Sequence, residues 1–270
     1  VMRTRLAALG LPVPAWAAVA TTAELAAFLG EHGGVAVLKT PRGGYDGKGV
    51  RVIRSADDAA DWFALGGPLL VEELVPFRRE LAQSVARRPS GETALWPLVE
   101  SIQRDGVCAE VIAPAPSSGG REAAVAAEIA IAVADGLDVT GVLAVELFET
   151  DDERILINEL AMRPHNSGHW SIEGSTTSQF EQHLRAVLDL PLGATSTVAP
   201  WTVMVNLLGG PADGDLARPR RKALGEHPDV AVHLYGKATR PGRKIGHVTA
   251  LGTDLDEVAY QARAAAAAFN

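Results

Sequence analysis

Two glutamates in apolar, strand-like runs carry the first chemical signal: Glu146 within GVLAVELFE and Glu159 within RILINEL. A carboxylate seldom enters such a run without a partner, because removing it from water is costly. Period-two alternation puts Glu146 on a face with Val142, Ala144 and Phe148, and Glu159 on a face with Ile155 and Ile157. The short acidic turn Thr150-Asp151-Asp152 joins the runs, and a hairpin there aims both carboxylates into one cleft. Mg²⁺ takes one or two protein carboxylates and fills its other positions with water and phosphate oxygens, so the pair matches its needs. The competing assignment is two structural glutamates, each neutralised by Arg or Lys.

A cation held in this way needs a phosphate site, and VAVLKTPRGGYDGKGVRVIRS supplies a candidate. It reads as strand, loop, strand, with residues 35–39 and 50–54 rich in β-branched side chains and Gly43, Gly44, Gly47 and Gly49 between them. Such a loop lets backbone N–H groups surround an anion, and Lys39 and Lys48 add charge. It is neither a Walker A loop nor a Rossmann fingerprint, since a strand follows where both require a helix. Alone, it reads equally well as a hairpin tip. PLLVEELVPFRREL then gives a strand ending at Glu72-Glu73, a linker over residues 74–77 and a second strand with Glu80. A linker of this kind offers hydrogen-bond groups to a purine while an acid accepts from ribose; alone, a strand crossover with a solvated Glu pair explains it better.

The order of these motifs resembles the ATP-grasp superfamily, in which ATP lies between two α+β subdomains. GGYDGKG, VEELVPFRREL, INELAMRPHNSGHW and RPGRKIGH resemble one branch over nearly the whole chain, the N5-carboxyaminoimidazole ribonucleotide synthase family. The resemblance implies an ATP- and bicarbonate-dependent carboxylation of 5-aminoimidazole ribonucleotide in purine biosynthesis, with ATP and Mg²⁺ (or Mn²⁺) as cofactors. It implies that Lys39 contacts the ATP phosphates and that Gly44, Tyr45, Asp46, Gly47, Lys48 and Gly49 close over them. Glu72, Glu73, Leu74 and Val75 take the adenine, Glu80 the ribose, and Gln103 stands where some relatives have a nucleotide-contacting His. Asn158 lies near the nucleotide, and Glu146 and Glu159 hold the metal. Arg163, His165 and Asn166 are the catalytic residues at the bicarbonate and acyl phosphate end. Tyr45, Asp46 and Lys48 also face the aminoimidazole ribonucleotide, whose phosphate falls to Lys237, Arg243 and Lys244.

Met162 stands where the family often has Pro, and Lys48 where it commonly has Arg. Ala161 occupies a position that is Asn in many ATP-grasp enzymes, an absence shared by the carboxyaminoimidazole branch. Family members normally carry one further α/β domain before the first helix, so the chain is expected to be a fragment or truncated product. The alternatives are another ATP-grasp carboxylase or ligase, and an inactive nucleotide-binding fragment.

Composition narrows the partners. Of 270 residues, 25 are Lys or Arg and 33 Asp or Glu, a net charge of −8 that argues against general nucleic-acid binding. The basic run RPRRK reads as a solvated loop. The single cysteine, Cys108, excludes an intramolecular disulfide framework, fits a reducing cytoplasm and reads as a small buried hydrophobe. No membrane-span pattern or signal peptide is present in the sequence, so the expected location is cytoplasmic. The family's common homodimer is the expected assembly. His165, His169 and His183 raise a zinc hypothesis, but Asn-Ser-Gly between the first two disfavours the helix that HExxH uses. His165 as a donor to an anion is the better reading, and His247 is a candidate support for the substrate phosphate.

The expected elements follow. A helix over 2–9 stops at Gly10; Thr21 to Glu24 forms a capping box for a helix through Leu29; Ser55 starts another. Strands occupy 80–88, 94–103 and 106–113, an alanine-rich helix runs from 121 to 134, and SQFEQHLRAVL is amphipathic. Three short strands and a terminal helix follow a composition shift at 193–200. The fold class is α+β: an ATP-grasp domain over 1–192 (subdomains 1–70 and 71–192) and a small β-rich C-terminal domain over 193–270.

Overall fold

The first unit is built from local signals that agree with one another. In the computed structural model, which describes residues 2–41, 49–118 and 120–269, helix α1 (Met2–Ala8) leads to strand β1 (Trp16–Val19) and helix α2 (Thr22–Glu31). The expected capping box starts α2, Thr21 accepting from the Glu24 N–H at 3.2 Å while the Glu24 carboxylate accepts from the Thr21 N–H at 3.3 Å. Strands β2 (Ala36–Lys39) and β3 (Val50–Ile53), a 3₁₀ turn at Ala56–Ala59, helix α3 (Ala60–Ala64) and strand β4 (Leu69–Glu73) complete the unit. Its antiparallel sheet has the order β1-β4-β2-β3, and Leu25, Phe28, Leu38, Ile53 and Val71 form the core beneath α2.

The second sheet is larger. Strands β5 (Phe77–Arg87), β6 (Thr93–Leu95), β7 (Val99–Arg104) and β8 (Val107–Ala113) precede helix α4 (Arg121–Gly136). Next come β9 (Gly141–Thr150), β10 (Ile155–Ala161), the short helix α5 (Ser171–Gly174) and helix α6 (Gln179–Val187). The chain closes with β11 (Trp201–Leu208), α7 (Ala217–Glu226), β12 (Ala231–Leu234), β13 (Lys244–Gly252) and α8 (Leu255–Ala267). The order is β10-β9-β5-β7-β8-β11-β13-β12, with β6 paired to β5. Because β11 pairs with β8 from Thr202↔Ala113 to Val205↔Glu110, the strands after residue 193 extend the same sheet. Helix α4 covers Val85, Leu143, Val145 and Leu147, and α8 covers Val203, Ile245 and Val248, giving a hydrophobic cluster at each end.

Two expected elements differ. The single strand over 94–103 is broken between β6 and β7, where Pro97 has no N–H for a ladder. The RPRRK run is the first half of α7 rather than a loop. Pro219 sits in the first turn, where a missing N–H costs nothing, and the Asp215 carboxylate accepts from the Ala217 N–H at 2.9 Å.

Candidate active site

The two sheets enclose a cavity of about 960 Å³. From the first unit it takes Val37, Lys39, Val50 and the crossing segment 72–75; from the second, Phe77, Glu80, Gln103, Cys108, Glu146, Phe148 and residues 158–163, with His165 and Lys244. Phe77 and Phe148 stack with ring centroids 4.6 Å apart, a flat apolar surface beside the acids.

The hairpin of β9 and β10 forms, and Glu159 stands directly opposite Glu146. Strict alternation is the wrong guide on β10, however. Ile155 and Ile157 belong to the core cluster under α4, and the face they share would exclude Glu159 from the cavity. The register shifts between Ile157 and Glu159, a bulge at Asn158 that re-aims the following side chain. Glu159 is exposed rather than buried, because β10 is an edge strand and the cavity opens there.

A side chain from the first helix holds that bulge. Arg3 is fully buried and donates from Nη1 to the Ile157 carbonyl at 2.6 Å and from Nη2 to the Asn158 carbonyl at 2.7 Å. The same guanidinium donates to both Glu72 oxygens, at 2.6 and 2.9 Å, and Glu72 also pairs with Lys39 Nζ at 2.8 Å. Burial pushes the Glu72 carboxyl up, but the Arg3 hydrogen bonds and the Lys39 charge outweigh it and hold the group below its ordinary value.

Glu146 is in the opposite condition. Burial, then the charges of Glu159 and Glu80, push its carboxyl up to about 7, with Lys244 and Arg163 opposing. Among the described residues no Lys or Arg forms an ion pair with it, and the His165 Nε2 lies 3.9 Å from its Oε1. Glu80 is also raised to about 7, by burial. Oxygen donors that repel one another at a cavity wall fit a hard divalent cation, which would relieve that repulsion.

The loop that carries His165 is fixed from outside the cavity. Buried Gln179 accepts from the His165 N–H at 2.8 Å and donates to the His165 carbonyl at 2.7 Å, and its amide lies 2.9 Å from His169 Nδ1. Asn166 and Asn206 exchange amide hydrogen bonds at 2.9 and 2.7 Å, and Asn206 also donates to the Cys108 carbonyl at 2.9 Å.

Comparison with known proteins decides what this architecture is. The model of the ATP-grasp domain matches residues 4–180, and that of the phosphoribosylaminoimidazole carboxylase C-terminal domain matches residues 202–261. The N5-carboxyaminoimidazole ribonucleotide synthase of Mycobacterium tuberculosis is 52% identical over 98% of this chain and 63% of its own length. A carboxyaminoimidazole ribonucleotide synthase structure from Aspergillus clavatus, complexed with ATP, superimposes with a TM-score of 0.88 at 34% identity, over 99% of this chain and 72% of that one. The chain belongs to the N5-carboxyaminoimidazole ribonucleotide synthase family. A second Aspergillus clavatus structure, in complex with ADP and 5-aminoimidazole ribonucleotide, gives 0.87 at 32% identity, over 97% of this chain and 70% of that one. The α+β arrangement is therefore the ATP-grasp fold of this family, and the chain spans 63% of the mycobacterial relative's length.

The cavity of this family member gathers Lys39, Glu72, Glu73, Leu74, Val75, Glu80, Gln103, Glu146, Asn158, Glu159, Arg163, His165 and Lys244. Gly49 closes the β2–β3 ladder, its carbonyl accepting from the Thr40 N–H at 2.9 Å. Gly44, Tyr45, Asp46, Gly47 and Lys48 lie outside the described residues. Asn166, Lys237 and Arg243 do not line the cavity: Asn166 is engaged with Asn206, Lys237 lies over the Tyr235 ring at 5.2 Å, and Arg243 donates to the Ala238 carbonyl at 3.3 Å. Cys108 is buried, and burial raises its thiol, as a small hydrophobe requires. Among the described residues His183 forms no metal-type cluster with the other histidines of the zinc hypothesis, its Nδ1 accepting from the Val142 N–H at 3.0 Å. Sequence reasoning missed Arg3, Gln179 and Asn206. Only Arg3 had a signal, a charge three residues before core Leu6 on one helix face.

Proposed function

We propose that this chain serves the ATP- and bicarbonate-dependent carboxylation of 5-aminoimidazole ribonucleotide to the N5-carboxyamino product. The observation that carries the proposal is Glu146 directly opposite Glu159 on the β9–β10 ladder, in one cavity with Lys39, Arg163, His165 and Lys244. A bicarbonate oxygen forms a bond to the γ-phosphorus of ATP as the bond to ADP breaks, giving carboxyphosphate. The exocyclic amine of the ribonucleotide then bonds to the carbonyl carbon, or to CO₂ released from it, and inorganic phosphate departs with the amine proton lost to solvent or a cavity base.

Glu146 and Glu159 would hold Mg²⁺ (or Mn²⁺), which supplies charge neutralisation for phosphoryl transfer. Lys39, set in place by Glu72, would face the phosphates, and Phe77 and Phe148 would offer the apolar wall on the nucleotide side. Arg163 and His165 would hold the carboxylate-like species, the second kept in position by Gln179. Lys244 would take the ribonucleotide phosphate, with Tyr45, Asp46, Lys48, Lys237 and Arg243 assigned to the same substrate by family likeness. A homodimer in the cytoplasm is the matching assembly and location; no described helix is long and apolar enough to cross a membrane.

The test is ADP release with Mg²⁺-ATP and bicarbonate, with and without 5-aminoimidazole ribonucleotide. Stimulation by the ribonucleotide is expected. Release that ignores it, or that follows another amine instead, overturns the substrate assignment.

A further inference from the structure

Five buried side-chain polar atoms have no hydrogen-bond partner among the described residues: Glu173 Oε2, Ser175 Oγ, Thr202 Oγ1, His247 Nε2 and Thr249 Oγ1. Buried polar atoms in native proteins are almost always satisfied, so a group of orphans calls for a missing partner. They do not scatter. Thr202, His247 and Thr249 stand on one face of β11 and β13 by ladder register, and Glu173 and Ser175 belong to α5 and the residue after it, which cover that face. Contact there is close: a Cβ on Gly174 would lie 2.6 Å from Thr202 Oγ1.

Two of the orphans, Glu173 Oε2 and His247 Nε2, belong to side chains of a three-residue ligand-type cluster. His233 on β12 and His247 on β13 are direct ladder partners, and their rings stack with centroids 4.6 Å apart. Glu173 Oε1 lies 2.6 Å from His233 Nε2. One potential ligand atom from each of the three falls within 4.8 Å of the others. His247 is 1% exposed, and its Nδ1 lies 2.7 Å from the Tyr235 hydroxyl. With the proton on Nδ1 donated to Tyr235, Nε2 keeps its lone pair and has no partner among the described residues, the arrangement by which an outer partner fixes a ligating imidazole. Two imidazoles and a carboxylate form a borderline N/O set that suits Zn²⁺ and leaves a fourth position for water.

We propose that Glu173, His233 and His247 form a second cation site, separate from the carboxylate pair, that takes a borderline first-row ion of the Zn²⁺ type. Its ligands tie α5, which directly follows the loop of Arg163 and His165, to the strands β12 and β13. The ion has no part in phosphoryl transfer; it fastens the C-terminal strands to the segment that ends the catalytic loop.

The test uses the chain stripped by chelator and titrated with Co²⁺ alone, followed by visible absorption, then with Zn²⁺ as competitor. One equivalent of Co²⁺ should give the intense d–d bands of a four-coordinate centre, and one equivalent of Zn²⁺ should remove them. His233→Asn and Glu173→Gln should each weaken binding by about a hundredfold or more, while Glu146→Gln with Glu159→Gln leaves the bands intact. His233 and Glu173 are only partly buried, so both variants are checked for native circular dichroism, and the Glu→Gln change is isosteric. Absence of the bands, which would leave ordered water as the orphans' partner, overturns the proposal. So does their loss in the Glu146/Glu159 double variant with retention in the other two.

Discussion

Two glutamates line the same cavity in opposite electrostatic conditions. Glu72, from the first sheet, is almost fully buried, but Arg3 and Lys39 neutralise it, and its carboxyl lies below the ordinary range. Glu146, from the second sheet, faces Glu159 and feels Glu80, and its carboxyl is pushed up to about 7. Burial acts in the same direction on both, so cation supply decides the difference. A glutamate provided with its own cations builds the site. One left facing other acids suits the cation of the proposed function, at a cost in stability while that cation is away.

Arg3→Met breaks the comparison most severely. It leaves Glu72 buried with one remaining cation and strips the Ile157 and Asn158 carbonyls of their donors, so a loss of about 3–5 kcal/mol is expected in denaturant unfolding. Arg3 also holds the bulge that aims Glu159, so Mg²⁺-dependent nucleotide binding should weaken along with stability. Unchanged metal dependence in a destabilised but folded variant would separate the two roles and remove the bulge argument.

Glu146→Gln inverts the pattern. Losing a carboxylate from the proposed cation site should lower ADP release by about a hundredfold to a thousandfold. The metal-free chain should become more stable at pH 8, because a desolvated acid with acidic neighbours has been made neutral. Glu72→Gln should be destabilising, since it strands Arg3 and Lys39. If both variants shift stability in the same direction, the division between paired and unpaired acids is wrong. A smaller effect is expected from Gln179→Leu, which unpairs both backbone groups of His165 and should cost about 2 kcal/mol. Its KM for bicarbonate should rise more than the KM for ATP if the clamp positions the reacting end alone.

Much of this arrangement is legible along the chain because its determinants are local. The capping box of α2, the hairpin carrying the acids and the strand that ends in Lys39 are each written within one short contiguous stretch, the longest being the hairpin over 141–161. What escaped is long-range or subtle. Arg3 finds its partners 69 and 154 positions away, distances over which no pattern in a single sequence operates. The bulge at Asn158 adds one residue to a strand with no change in composition, yet it decides which way Glu159 points. Asn166, by motif a reacting residue, has both ends of its amide committed to Asn206, a partner 40 positions away.

The finest probe of the comparison is Glu80, which belongs with Glu146 in forming no ion pair with a Lys or Arg among the described residues. Its folded carboxyl titrates at about 7 against an ordinary 4.5, so the native chain keeps this proton to a higher pH than the unfolded chain does. The stability it contributes is complete below about pH 4.5 and is lost as pH rises to about 7. Glu80→Gln imitates the protonated acid at every pH. In chelator the variant should match the parent near pH 4.5 and exceed it at pH 8 by about 1 kcal/mol, a figure reduced for solvent screening at a partly exposed group. Part of that gain comes from Glu146, which loses a repelling neighbour and ionises more easily, so the two acids titrate as a coupled set. Saturating Mg²⁺-ATP should shrink the difference by supplying the missing charge. Stability profiles that stay parallel from pH 4.5 to 8 would mean that Glu80 meets enough water to be indifferent, and the uncompensated wall would reduce to Glu146 and Glu159.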